Sequence, residues 1–106
     1  MKISLEIEVN GELKKKVFST QRMRGRALKR ALEVQDVFEE SDKQGLFTSA
    51  HFDLMCEFIC EMFGGKFTID ELLDGMDLEE IQPTFIKLQE EVQNKTMAKV
   101  NEITKK

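Results

Sequence analysis

Ile3, Leu5, Ile7 and Val9 alternate with Ser4, Glu6 and Glu8. A period of two marks a strand with one buried face. Asn10-Gly11 follows, the dipeptide that tolerates positive φ at both centres of a tight hairpin turn. A second strand is expected from about Leu13 to Phe18. Two registers compete. A two-residue loop sets Leu5 against Lys16 and Val9 against Glu12. A three-residue loop over Asn10 to Glu12 sets Leu5 against Val17 and Val9 against Leu13. The longer loop, with a bulge, keeps apolar pairs on one face and is the register expected. A lone hairpin is marginal in water, so its apolar face has to cover a helix or a strand of another chain.

Helical spacing begins near Gln21, with Ser19 or Thr20 as cap. Met23, Ala27, Ala31, Val34 and Phe38 form one stripe, which Leu28, Leu32 and Val37 widen. This first helix is expected to end near Glu40 to Lys43, with Ser41 to Gly45 as a loop. A second helix runs from about Ala50 to Phe63, capped by Thr48 or Ser49 and stopped by Gly64-Gly65. At about 100° per residue its apolar side chains, from Phe52 to Phe63, sweep an arc of about 200°. Only Asp53, Glu57 and Glu61 give a polar edge, so this is the expected central helix. Two capping boxes follow. Thr68 and Glu71 form one, with Phe67 and Leu72 placed to staple it. Asp77 and Glu80 repeat the layout between Met76 and Ile81, and Gly75 ends the short helix between. Pro83 sits too deep for a helix that starts at Leu78. The expectation is a separate turn from Asp77 to Gln82 and a last helix that starts at Pro83, packed by Phe85, Ile86, Leu88 and Val92. After Gln93 the apolar positions thin to Met97, Ala98, Val100 and Ile103. The reading is a mainly α, α+β fold: an N-terminal β-hairpin followed by four or five helices in one small domain over residues 1–92. Residues 93–106 form a polar helical extension or a frayed tail.

Composition narrows the function classes. The chain has 106 residues and no apolar run of about 18, so no spanning helix is expected. Its first residues carry a charge every few positions and read as no signal peptide. Two cysteines without framework spacing point to a reduced, cytosolic compartment. Eight phenylalanines without tyrosine or tryptophan read as core aromatics. The net charge of −4 hides an asymmetry. Residues 1–30 hold nine basic and three acidic side chains, and residues 31–106 hold seven and seventeen. A general nucleic-acid binder is basic overall, whereas this chain has a pI near 5.1. A dipolar field suits orientation of a protein partner or head-to-tail self-association.

Candidate chemistry is sparse. Cys56 and Cys60 share a helix face, which is half a metal site at most. His51, the single histidine, projects about 140° from Cys56 on that helix and cannot join it. The cysteines read as small buried hydrophobes. His51 has no serine or cysteine obviously paired with it for nucleophilic catalysis. The acids from Asp70 to Glu80 lack the alternation of a calcium loop, and most complement helix starts. No glycine-rich phosphate loop is present. No catalytic, metal or cofactor site is expected, and the chain is read as no enzyme. The basic run stands apart. Arg22, Arg24, Arg26, Lys29 and Arg30 load cations onto the start of a helix, where the macrodipole disfavours them. A feature that opposes its own local energetics is a functional candidate. One reading is a solvated face paired with nearby acids, including Arg26 to Arg30 facing carboxylates from the C-terminal helices. The other is a partner-binding cluster, to which arginine brings bidentate contact with carboxylates. The alternative function is a small nucleic-acid-binding regulator that uses Arg22 to Arg30.

The order of these pieces resembles the tail assembly chaperones of long-tailed, siphovirus-type bacteriophages of Gram-positive hosts. The hairpin from Ile3 through Asn10-Gly11 carries the resemblance together with the basic helix from Gly25 to Glu33. The stretch from Phe63 through Gly64-Gly65 to Leu72 and Gly75, and the turn from Leu78 to Thr84, complete it over about residues 1–92. It implies a protein of the host cytoplasm, absent from the mature virion. Such a protein binds and solubilises the tape measure protein and helps recruit tail tube subunits, without catalysis. Coating a long partner implies many copies, so a homo-oligomer is expected. Many such families make a longer form by ribosomal frameshift, and Thr104-Lys105-Lys106 is a place where an A-rich slippery stretch fits.

Overall fold

Asn10 and Gly11 both take positive φ, 55° and 81°, the signature of a type I′ turn. That turn matches the right-handed twist of the strands it joins, and it sets the two-residue loop. The hairpin therefore pairs β1 (Lys2–Val9) with β2 (Glu12–Ser19) so that Leu5 faces Lys16 and Val9 faces Glu12. The bulged three-residue register expected from apolar pairing does not form. Turn chemistry outweighs it, because β1, helped only by Phe18 at the end of β2, supplies the buried face. Ile3 and Leu5 are buried, Ile7 and Val9 half-buried, while Leu13 and Val17 are displaced to the opposite, solvent face.

The computed structural model describes the backbone of residues 1–104 and the side chains of residues 1–94. Four helices follow the hairpin: α1 (Gly25–Gln44), α2 (Ser49–Met62), α3 (Ile69–Gly75) and α4 (Leu78–Thr104). α2 packs against each of the other three helices, and α3 packs against β1. The wide apolar arc of α2 causes this: Met55, Cys56, Phe58, Ile59 and Met62 are all buried, as is Phe63 after it. Two aromatic chains cross the core. Phe58 meets Phe85 edge-on at 5.5 Å and Phe85 meets Phe38 at 5.2 Å. Phe67 joins Phe63 at 5.4 Å to Phe18 at 5.0 Å. Phe47 departs from the core reading of the aromatics: it is 60% exposed and stacks on His51 at 6.0 Å.

α1 starts four residues later than its stripe predicts: residues 20–24 are not helical, and Arg24, the residue before the helix, is extended. It also runs one residue past the expected end, through Ser41, and Gly45 closes it in the left-handed region. Ala31 and Val34 are buried, whereas Leu32 and Val37 lie on the exposed flanks. The Thr68–Glu71 capping box forms as read: the Thr68 N–H donates to Glu71 Oε1 at 2.9 Å and the Glu71 N–H to Thr68 Oγ1 at 3.1 Å. Phe67 and Leu72, the two staple positions, are both buried.

The largest correction concerns Pro83. It lies inside α4 rather than at the start of a separate helix. Asp77 precedes the first helical residue, and Met76 and Ile81 are buried on either side of the start as a staple. Pro83 and Glu79 face solvent, where water can take the Glu79 carbonyl that proline leaves without its usual donor. Thr84 Oγ1 donates to the next carbonyl, that of Glu80, at 2.7 Å. The inward stripe of Ile81, Phe85, Leu88 and Val92 then carries the helix past the break, and Ile86, expected to pack, points outward at 46% exposure. The packing of Met97 to Ile103 lies outside the described side chains, and Lys105 and Lys106 outside the described residues.

Candidate partner-binding surface

The extended segment between hairpin and α1 is tied to the C-terminal end of α2. The Gln21 N–H donates to the Met62 carbonyl at 3.2 Å, and Gln21 Nε2 donates to the Glu61 carbonyl at 3.2 Å. A helix end leaves four carbonyls without intrahelical donors, and Gln21 serves two of them. Gly64 makes room for it: a Cβ there would lie 2.7 Å from Gln21 Oε1, and its φ of +70° is itself a glycine conformation. The start of α1 is thereby held against the end of α2.

Between the two lies an open groove of about 1070 Å³. Arg22, Arg24, Arg26, Lys29 and Arg30 all line it, so the fold gathers the entire basic run on one surface. Cys60, Met62 and the Gly64-Gly65 turn form the facing side. No acid occupies the first turn of α1. The cations that oppose α1's macrodipole instead lie beside the end of α2, whose partial negative charge offsets them.

The five cations are not equivalent. Arg30 is held by its own domain: Nε pairs with Glu61 at 2.8 Å, and the guanidinium nitrogens reach Glu57 and Glu33 at 3.7 Å each. Two of those acids come from α2 and one from α1 itself, so Arg30 pairs with nearby acids, none of them from the C-terminal helices. Arg22, Arg24, Arg26 and Lys29 are exposed and make no ion pair among the described residues.

His51 has a structural task. Its Nδ1 accepts the Thr48 N–H at 2.9 Å, so Thr48 and His51 form a capping box with histidine in the place of the usual glutamate. Burial pushes the Cys56 thiol up to about 11, and Asp53 and Glu57 add to it. Cys60 is also pushed up to about 11, first by burial and then by Cys56 and nearby acids. A thiol so far above neutrality stays protonated, which is poor chemistry for a nucleophile or metal ligand. No group of three metal-ligating side chains gathers among the described residues, and no helix among them is long and apolar enough to cross a membrane.

One surface feature escaped the sequence reading. Leu13 and Val17 are 69% and 64% exposed, on a strand that packs beside β1 alone among the elements. The signal was present in Asn10-Gly11, whose two-residue turn sets the register that turns both outward.

No curated protein and no solved structure matches the chain. A family model described as phage tail chaperone protein matches residues 1–106. The chain belongs to the phage tail chaperone protein family.

Proposed function

We propose that this protein binds and solubilises the tape measure protein during tail assembly and helps recruit tail tube subunits, as a non-catalytic chaperone in the host cytoplasm that is absent from the finished virion. The host is a Gram-positive bacterium and the phage a siphovirus type. The observation that carries the reading is the family match over residues 1–106. The groove supports it: Arg22, Arg24, Arg26 and Lys29, without ion pairs among the described residues, surround a floor that carries Ala27, Cys60 and Met62, with Glu33 and Glu61 on the Arg30 side, which suits an amphipathic helix with acids along one edge. Arg30 sets the position of this surface and contacts the partner less. Residues 1–92 act as the folded unit, and the backbone of residues 93–104 extends its last helix. Coating a long helical partner calls for many copies, and the charge asymmetry favours a head-to-tail homo-oligomer.

Co-expression with the long reading frame beside this gene tests the proposal. The long protein is expected to be insoluble alone and to co-purify in soluble form with this chain. A long protein that stays soluble alone, or never co-purifies, overturns it. Changing Arg22, Arg24 and Arg26 to Ser separates the site from the function. Reduced co-purification with an unchanged thermal midpoint assigns the groove, and unchanged co-purification removes it. Retained solubilisation together with tight, steeply salt-dependent DNA binding would instead give the arginines a nucleic-acid role.

A further inference from the structure

In an antiparallel pair closed by a two-residue turn, residues opposite one another alternate between bonded and non-bonded pairs. Val9 and Glu12 flank the turn as a bonded pair, so Ile7–Lys14, Leu5–Lys16 and Ile3–Phe18 are bonded pairs too. The backbone groups of Leu13, Lys15 and Val17 therefore point away from β1, toward the free edge of β2. The Ser19 carbonyl, in the same phase, accepts from Lys66 Nζ at 3.1 Å, which marks where the free edge ends. Residues 12–17 are all exposed.

We infer that this edge of β2 is a strand-addition site for an extended partner segment in which acidic and aliphatic residues alternate. The two faces of β2 specify that alternation. Leu13 and Val17 lie on one face, with Lys15 between them already opposite Glu6. Lys14 and Lys16 lie on the other face, opposite the aliphatic Ile7 and Leu5. None of the three lysines makes an ion pair among the described residues. An added strand would set aliphatic side chains beside Leu13 and Val17 and carboxylates beside Lys14 and Lys16. Cross-strand pairs of both kinds stabilise a sheet.

A second copy of the chain is a poor occupant. Its β1 edge is closed: a Cβ on Gly75 would lie 2.7 Å from the Glu6 oxygen and 3.2 Å from the Glu6 nitrogen, so α3 sits directly on the groups another strand would need. Joining two β2 edges would bring the lysine triplets of both copies together, like charges across a strand pair. The site is distinct from the arginine groove and does not depend on the identity of the tail partner.

The test uses the full chain and an eight-residue peptide that alternates glutamate and valine, blocked at both ends. Titration is expected to move the amide resonances of Leu13, Lys15 and Val17 and to slow their hydrogen exchange. Peptides N-methylated at every second amide, in the phase that faces β2, are expected not to bind. Exchanging Lys14 and Lys16 for Glu should weaken binding by about tenfold at an unchanged thermal midpoint, since opposite-charge pairs become like-charge pairs at two positions. The inference fails if the peptide shifts the groove residues Arg22 to Lys29 instead, or binds nowhere at millimolar concentration. It also fails if the three amides are already protected in the free protein in a concentration-dependent way, which would place a second copy on the edge.

Discussion

Gly75 shows how much one missing methyl group can decide. Its backbone lies outside the left-handed region, so alanine suits the helix, yet the added Cβ would press on the Glu6 backbone and within 3.2 Å of Leu5 Cβ. Neither neighbour is a flexible side-chain end. Gly75→Ala is expected to lower stability by about 1–3 kcal/mol through this overpacking, read as a lower urea midpoint. An unchanged midpoint would mean that α3 can slide on β1 freely. The cysteines carry a pH dependence of definite sign. Both thiols have an ordinary value of 9.0 and are held near 11 in the fold, so the folded chain keeps protons that the unfolded chain releases. Stability is then full below about pH 9 and falls between about 9 and 11. A variant with both cysteines changed to alanine should lose less stability across that range, and an equal loss would assign it to other groups.

Elements differ in how well their local signals survived. α3 is short; its start is set within the segment by Thr68 with Glu71, with the staple positions Phe67 and Leu72 both buried, and its last residue, Gly75, lies against the hairpin. Replacing Thr68 by alanine is expected to cost about 1 kcal/mol by thermal melting, and a neutral outcome would show that packing alone holds the helix. α4 presents two conflicting local signals, a complete start at Asp77 and a proline six residues on. The start wins: the helix runs on through Pro83, and Ile81 before the proline is buried on the same stripe as Phe85 and Leu88 after it. Pro83→Ala is therefore expected to stabilise the protein by about 1–3 kcal/mol, as the Glu79 carbonyl regains a donor. A destabilised variant would show that the proline sets a bend the packing needs.

For the whole molecule, the charge asymmetry between residues 1–30 and 31–106 becomes spatial in part. The cations gather at the α1–α2 groove, where Glu33 and Glu61 also lie, and along β2, while Asp77, Glu79 and Glu80 gather around the start of α4 with Lys2, Lys15 and Lys87 beside them. If copies associate head to tail through these surfaces, sedimentation should show a larger species at low salt that falls apart as salt rises. An oligomer insensitive to salt would point to apolar contact through Leu46, Phe47 or Leu32 instead.

Patterns within a few residues were enough to establish the hairpin, the central apolar helix, the Thr68 cap and the gathering of arginines at one helix start. These rest on contacts between neighbours in the chain, whose spacing is visible in the residues themselves, and the β2 register too was held locally, in the Asn10-Gly11 turn. The phage tail chaperone resemblance rests instead on the order of these pieces over about residues 1–92. The continuity of α4 past Pro83, the separation of Arg30 from the four cations that make no ion pair among the described residues, and the closure of β1 by Gly75 were settled only by tertiary packing. Each sets a local preference against a contact made many residues away: β1 on α3, Phe85 on Phe58, Arg30 on Glu61. No window of sequence holds both sides of such a balance.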